Sequence, residues 1–479
     1  MCLIFILDPL NSCIDDSLTR FYSAIEQNDV NIRGGLPTID EEEQTNKLDA
    51  IPYIGNGIFG LEISQDAHFN IKEGRALLLE VPFAPIVSLA TTNGEFQESF
   101  VVEYINGLTY RFQCFNDFSA KYQYYAHRNH PGVFVQEIQI QNYKNQLMDV
   151  ALTLPRIIDW STASSQTIKI QQGSKMVDYQ VLTGYIASTI ALQKVRAVSI
   201  CYRLIPRMLT LKKRGITNLN LLTTINYSAP ITREQYSEFK DRVENSAISS
   251  MKKIVEELHS EEDTGNTGDI LFEFRKQHIK VWNSLWQTGF YISKSKAENA
   301  LNGDKINATI YAVLSHSRAF EYEESITPQR KNQIAHDLTY AEGCFDSYHT
   351  LQAENLWKDM KTLDEANQLV ASWMLTLEKQ GCHNLIRAGA SGIIQSMVLS
   401  FGGFRFSNQH LEFNIHPKYL HRDFTFRRLN YGNMTHVNVT VRVREDNKAE
   451  MEVVLDRSDR NYYACDGGCL GKKFETLYF

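Results

Sequence analysis

The sequence predicts an α+β chain of several domains, ordered as an antiparallel β-sandwich, a group of helices and a small β-sheet. Three observations lead there. Across residues 51–231, short β-rich segments follow one another, mostly alternating apolar with polar residues and separated by Gly, Asn or Pro. From Thr232 onward the apolar period becomes helical, through Phe239, Val243, Ile248, Met251, Val255 and Leu258. Beyond Gly402, strand alternation returns in "FRFS", "LEFNI", "FTFRRLNY", "VNVTVRV" and "EMEVVL".

Taken in order, residues 1–50 form an N-terminal segment that ends in the acidic run "IDEEEQ", a solvated helix or linker. Its start, "MCLIFILDPL", is apolar but has no basic region, so it reads as the remnant of a signal peptide rather than a full one. The sandwich, 51–231, takes its strands from "HFNIKEG", "ALLLEVPF", "ESFVVEYI", "LTYRFQCF", "FVQEIQIQN", "DVALTL" and "AVSICYRL". The 23 Tyr and 25 Phe of the chain suit such half-buried pleated surfaces. Thr232 with Gln235 matches a capping box and opens a helical linker, 232–292, which "SEEDTGNTGD" interrupts before a second helix over 270–286. Helices over 308–316, 366–378 and 390–399 occupy an α-helical region, 293–402, and residues 403–479 form the C-terminal sheet region.

Composition bounds the function. With 43% hydrophobic and 22% charged residues the chain is globular, and a net charge of −7 argues against a nucleic-acid surface. No run approaches the ~20 apolar residues of a membrane-spanning helix. Among the 8 cysteines, Cys465 and Cys469 in "ACDGGC" enclose a Gly-Gly turn that makes a small disulfide loop sterically easy, provided the chain enters an oxidising compartment. No second pair or nearby histidine supplies metal-ligand spacing, and no cofactor is expected. Glycosylation sequons stand at Asn226, Asn307, Asn433 and Asn438, the last two close together, which points to the secretory pathway.

The order of elements and several of its words resemble glycoside hydrolase family 65. These six-hairpin glycosidases have an N-terminal β-supersandwich, a helical linker, an (α/α)6 barrel and a small C-terminal sheet. "IGNGIFGLEIS" (54–64) is similar to the family's Gly-Asn-Gly-aromatic-Leu-Gly segment. "HIKVWNSLWQTGFYI" (278–292) resembles the approach to the barrel, and "INATIYAVLSHS" (306–317) its first helix. "AGASGIIQSMVLSFGGFRF" (388–406) resembles the last barrel helix. Its glycines would let the helix N-terminus approach the barrel centre, and Gly402–Gly403 would turn the chain away.

A second resemblance runs along nearly the whole chain. "INATIY", "CFDSYHTLQAENLW", "LEKQGC", "GIIQSMVLSFGGFRF" and "YYACDGGC" are similar to segments of an animal family of uncharacterised membrane-anchored proteins catalogued under a KIAA number. Its members have an N-terminal hydrophobic signal or anchor and a C-terminal membrane span. The resemblance therefore implies a luminal ectodomain of the secretory pathway, the endoplasmic reticulum foremost, without those terminal segments.

Family 65 enzymes protonate the leaving group with a carboxylic acid, opposite a water or phosphate. The acid lies in a Gly-Pro-Asp-Glu-type motif with no counterpart here. In "LQAENLW" (351–357), Ala353 falls at the family's sugar-binding Asp and Asn355 at its Glu. The stacking Trp of the last helix is lost in Gly392-Ile393-Ile394-Gln395. About 100 residues lie between Ile306 and Gly402, whereas twelve barrel helices with their loops need well over ~200.

The resemblance thus implies a β-supersandwich, a reduced partial α/α barrel and a small C-terminal sheet. Its function would be that of a degenerate glycosidase-like pseudoenzyme, a binding or scaffold subunit for a membrane partner. If catalysis survives, the implied reaction is hydrolysis or phosphorolysis of an α-glucoside, with Glu354 the residual candidate. A carbohydrate-binding role through the aromatics of "YQYYAH" (122–127) is the third reading.

Glu342, Asp346 and His349 read as loop residues around Cys344, and Gln395 as orienting a loop. His336, His383 and His410 lack ligand spacing. Cys344 and Cys382 flank the barrel remnant and are the expected second bridge. Loss of barrel hairpins should leave apolar helix faces, so Trp357 and Trp373 are expected as interface anchors.

Overall fold

The computed structural model describes residues 9–33, 50–64, 66–90, 96–262, 270–339, 344, 349–407, 410–432, 434–465 and 475–476. They divide into two compact units, Met1–Trp282 with Lys361–Asp364, and Asn283–Met360 with Glu365–Phe479.

The first unit is a large antiparallel sandwich. Its main sheet has 10 strands, running from Val30–Arg33 through Phe96–Glu103, Leu108–Phe115, Phe118–Ala126, Val133–Asn142, Ile216–Tyr227, Lys194–Arg203 and Lys175–Ala187 to Ser164–Gln172, with Ile231–Thr232 paired to Lys194–Arg203. A second layer combines Tyr53–Gly55, Phe59–Glu62, Phe69–Glu73 and Ala76–Val81 with the sheet of Met208–Leu211, Met148–Thr153 and Ser88–Leu89. Between the layers, the Phe69 ring meets Phe59 at 5.1 Å, Phe134 at 5.8 Å and Phe83 at 6.3 Å. Tyr122 and Tyr124 join this core from one face of their strand, and Tyr125 enters the core on the opposite face. Side chains alternate across a strand, so helices must cover that outer face.

They do. Helix α1 (Pro9–Leu18) lays Ile14 and Leu18 on Val101, Tyr110 and Phe112. Two-residue spacing on the strands meets four-residue spacing on α3 (Tyr236–Glu262), whose Ala247, Met251 and Val255 cover Tyr179, Val181 and Cys201; α2 (Tyr22–Glu26) lies between these helices in sequence. The Gln235 side chain accepts from the Thr232 N–H at 3.0 Å, one half of the capping box, although the helix itself begins at Tyr236.

Helix α4 (Phe272–Trp286) is pinned by histidines. His127 Nε2 donates to the Phe274 carbonyl at 2.9 Å, and His278 Nε2 to that of Gly107 at 3.1 Å. The helices read as a linker over 232–292 therefore pack on the sandwich and belong with it as far as Trp282. Burial of each large apolar side chain contributes about 1.5–3 kcal/mol, enough to bind such helices to a sheet.

In the second unit, a four-stranded sheet of Phe290–Ile292, Phe424–Tyr431, Thr435–Val443 and Ala449–Arg457 adjoins helices α5 (Gly303–Ser315), α6 (Pro328–Thr339), α7 (Leu363–Lys379), α8 (His383–Arg387) and α9 (Ala390–Phe401). Residues 308–315 of α5 are all buried, as are most of α9. A helix apolar on every side is a core helix, and these two serve as such. Gly403 takes φ 54°, and the chain reverses there into the strand Phe404–Ser407, as the Gly-Gly pair led one to expect. Among the described residues, no helix is long and apolar enough to cross a membrane.

Candidate functional site

The sequence directs attention to the N-terminus of α9. Gly389 precedes it at φ 88°, and a Cβ there would sit 2.5 Å from the Arg318 carbonyl oxygen. That carbonyl is close because it accepts a hydrogen bond from the Ala390 N–H at 2.7 Å. One turn on, a Cβ at Gly392 would fall 1.9 Å from the Leu385 carbonyl oxygen, so glycine is what lets α8 and α9 touch. The glycines bring the helix end against the chain's own backbone.

The segment from His316 to Glu323 closes the site. His316 is buried, with Nδ1 donating to the Ala312 carbonyl at 2.7 Å and Nε2 opposite the Asn367 side-chain amide at 2.9 Å. Arg318 grips Glu323 with two guanidinium nitrogens, Nε at 3.1 Å, and its guanidinium lies 4.7 Å from the Phe320 ring centroid. Glu323 is fully buried, while the Arg318 side chain is 31% exposed, so only the carboxylate is held away from water. Ser391 in the first turn donates its hydroxyl to Glu321. A carboxylate at a helix N-terminus gains about 0.3–1 kcal/mol from the macrodipole. Here the protein supplies that anion itself, and the first free N–H is already bonded.

The expected site residues are scattered. Glu354 is exposed on the single turn Glu354–Leu356. Gln395 lies one turn along α9 from Ser391 and is half-buried, with no hydrogen-bond partner for its Nε2 among the described residues. His349 is half-buried with its ring 4.6 Å from that of Tyr419; burial, and then the Lys418 ammonium, hold it below the usual histidine value. His336, His383 and His410 are exposed, and Glu342 and Asp346 lie outside the described residues. Among the described residues, no group of His, Cys, Asp and Glu could hold a metal ion. Sequence reading passed over Arg318, Glu321 and Glu323; the charges in "RAFEYEES" were the only available signal.

Two expectations need correction. Trp357 and Trp373 are not surface anchors. Both are buried, meeting at 5.2 Å and sharing Phe401, and their indole N–H groups donate to the Thr350 and Leu356 carbonyls at 2.7 and 2.9 Å. The chain's own core covers the apolar faces they mark. Nor are the rings of "YQYYAH" exposed: Tyr122, Tyr124 and Tyr125 have no accessible surface.

Cys344 and Cys382 are joined, with Cα atoms 4.4 Å apart, and a further bridge links Cys13 to Cys114. Cys465 is also in a disulfide; Cys469 lies outside the described residues. Asn226 is half-buried in a central strand opposite Ser199, and Asn307 is half-buried on α5. The Asn438 amide is engaged at both ends, donating to Asp456 at 2.6 Å and accepting from the Arg428 N–H at 2.7 Å. Asn433 lies outside the described residues.

The family described as "Uncharacterized conserved protein (DUF2152)" matches residues 8–476. The chain belongs to the DUF2152 family. Its relatives include the "Uncharacterized protein KIAA2013 homolog" of Xenopus tropicalis and that of Xenopus laevis. Each is 28% identical over 360 residues, which is 74% of this chain and 56% of the relative. The chain thus spans only about half the length of these DUF2152-like relatives. Among solved structures, a putative kojibiose phosphorylase from human microbiome is similar over 84% of this chain and 61% of its own, at 11% identity and a TM-score of 0.37. A GH92 α-mannosidase from Bacteroides thetaiotaomicron is similar over 59% of this chain and 40% of its own, at 8% identity and a TM-score of 0.21. Likenesses of this size assign neither reaction nor substrate to this DUF2152 protein.

Proposed function

We propose that the chain is a non-catalytic ectodomain of an oxidising, secretory-pathway compartment, serving as a binding or scaffold subunit for a membrane partner. The observation that supports this most is the closed N-terminus of α9. Arg318 and Glu321 of the same chain occupy the position where a glycosidase of the resembled type would present its helix end to a ligand. Glu354, the residual carboxylate, is exposed rather than enclosed opposite a second acid. Disulfides at Cys13–Cys114 and Cys344–Cys382 favour an oxidising compartment.

The test is direct. Purified protein is incubated with trehalose, maltose and kojibiose, with and without inorganic phosphate, and release of glucose or glucose 1-phosphate is followed. No turnover is expected, since loss of a positioned acid alone removes a factor of about 10²–10⁴. Turnover abolished by Glu354→Gln would replace this reading with the enzymatic one. For the partner, proximity labelling of the full-length protein should return a membrane protein; recovery of the chain alone sinks the scaffold role.

A further inference from the structure

The sandwich has a polar and aromatic face of its own. Across three adjacent strands, Phe96 lies opposite Phe115, Glu98 opposite Gln113 and Phe100 opposite Arg111, while Gln113 and Arg111 face Ala120 and Tyr122 on the third strand. All of these side chains share one face, because each position is two residues from the next. Burial falls off along it. Tyr124 and Tyr122 are inaccessible, Ala120 is buried, and Phe118 at the strand start is half-buried, as are Phe115, Phe96 and Phe100. The outer three rings form a continuous row: Phe96 to Phe115 at 5.4 Å and Phe115 to Phe118 at 4.4 Å, both stacked. The hairpin that carries Phe115 and Phe118 is tethered by Asp117 to Lys144 at 2.9 Å.

Beside this row sits a carboxylate with one oxygen spent and one spare. Arg111 Nε at 2.8 Å, Arg111 Nη2 at 2.7 Å and Gln113 Nε2 at 3.0 Å all converge on Glu98 Oε2. Gln113 is itself held by the Tyr122 hydroxyl at 2.7 Å, and that hydroxyl accepts from the Leu89 N–H at 3.1 Å. Among the described residues, nothing donates to Glu98 Oε1, and the side chain is 29% exposed. The pair is neutral overall, so it offers little to an ion of either sign. What it offers is a rigid, charge-assisted acceptor for an O–H donor, next to aromatic surface.

We propose that this face binds a neutral carbohydrate. The C–H surface of a pyranose ring would pack across the outward edges of the stacked Phe96, Phe115 and Phe118 rings, whose faces are turned toward one another, and one of its hydroxyls would donate to Glu98 Oε1. Small-ligand sites combine an apolar lining with a few fixed polar groups, and the Glu98–Arg111–Gln113–Tyr122 chain is already fixed without a ligand. The inference goes beyond the proposed function: it concerns the other unit, and it holds whether or not the helical unit meets a membrane partner.

The experiment probes the full chain with immobilised gluco-, manno- and galacto-configured neutral oligosaccharides, alongside sialylated and sulfated glycans and apolar peptides. Retention of neutral glycans is expected, with Phe118→Ala and Phe96→Ala each weakening it about two- to tenfold. Glu98→Gln should weaken it by about tenfold or more, through loss of the charged acceptor. Thermal unfolding of each variant is read in parallel. Because Glu98→Gln disturbs the Arg111 pair, the phenylalanine variants decide where its melting point falls. No retention of any neutral glycan at millimolar concentration overturns the proposal. So does retention of acidic glycans or apolar peptides alone, or neutral-glycan binding that both phenylalanine variants leave unchanged.

Discussion

Trp357 and Trp373 meet edge to face, 5.2 Å apart and 78° between planes, and each sends its indole N–H to a carbonyl inside the same unit. The Trp357 bond reaches back to Thr350 and the Trp373 bond reaches across to Leu356, so the two rings hold the 350–357 turns against α7. A pair with its polar atoms spent internally is a core device.

Trp373→Ala should therefore destabilise the protein by about 3–5 kcal/mol, the usual result of removing a buried aromatic ring. Trp373→Phe keeps a ring but leaves the Leu356 carbonyl without its donor, at about 1–3 kcal/mol. Leu375, 43% exposed on the same helix, is the control: Leu375→Asp should change stability by no more than about 0.5 kcal/mol. Urea unfolding of the three variants checks the order. A surface role for Trp373 would give the reverse.

Gly392 gives a sharper steric prediction. Gly392→Ala would place a methyl group 1.9 Å from the Leu385 carbonyl oxygen, so α8 and α9 must separate. A cost of at least about 3 kcal/mol is expected, at the upper end for overpacking. At Gly173, φ is +56° but nothing lies within 4 Å, and Ala there should cost only about 1 kcal/mol, from backbone conformation alone. The two melting points, compared with wild type, separate close approach from chain conformation.

The sequence disclosed what is periodic and hid what is not. The strands 133–142 and 435–443 could be seen from alternation, and α9 from its small apolar run closed by two glycines. Phe83–Ala84 and Ser88–Leu89 are too short to show a period, so the second layer of the sandwich could be read only in part. Tyr122, Tyr124 and Tyr125 belong to a strand buried on both faces, where aromatic content cannot tell core from binding surface. Likewise a tryptophan pair is written the same way in a core as at an interface. Cys13 and Cys114 are 101 residues apart with no local cue, while the closure of α9 by Arg318 and Glu321 arises only once the chain is folded.

The disulfides set up a redox prediction. Cys344 and Cys382 are 38 residues apart and Cys13 and Cys114 are 101 apart. Closing loops of these lengths restricts the unfolded chain by about 4 and 5 kcal/mol respectively. Cys382→Ser and Cys114→Ser should lower stability by up to those amounts. Peptide mapping of unreduced protein from secreting cells should recover both linked pairs, with buried Cys201 as a free thiol. Recovery of Cys13, Cys114, Cys344 and Cys382 all as thiols would remove the support for an oxidising compartment.

The last prediction concerns acid. His127 and His278 are fully buried, and both are held well below the usual histidine value. For His278, lowered to about 3, burial is the main cause and the Arg128 guanidinium the second. For His127, burial comes first, then His278 and His130. The groups facing them are Arg128, whose guanidinium lies 4.5 Å from the Trp282 ring centroid, the Tyr125 ring, and His130, which has Glu257 of α3 at 3.8 Å. A depressed histidine is neutral in the folded protein and takes up a proton on unfolding once the pH falls below about 6.5. Its contribution is therefore fully present above that pH and declines as the pH drops toward the folded value. Each histidine should steepen the loss by about 1.4 kcal/mol per pH unit. Between pH 6.5 and 5, above the main carboxylate range, these two contribute to the slope together with His349 and His436, which are also held below the usual histidine value. His278→Gln, which retains a donor for the Gly107 carbonyl, should reduce that slope by about one proton's worth. Urea unfolding midpoints at half-unit pH steps measure it, and a slope unchanged by the substitution would mean that His278 is not the buried neutral group that pins α4.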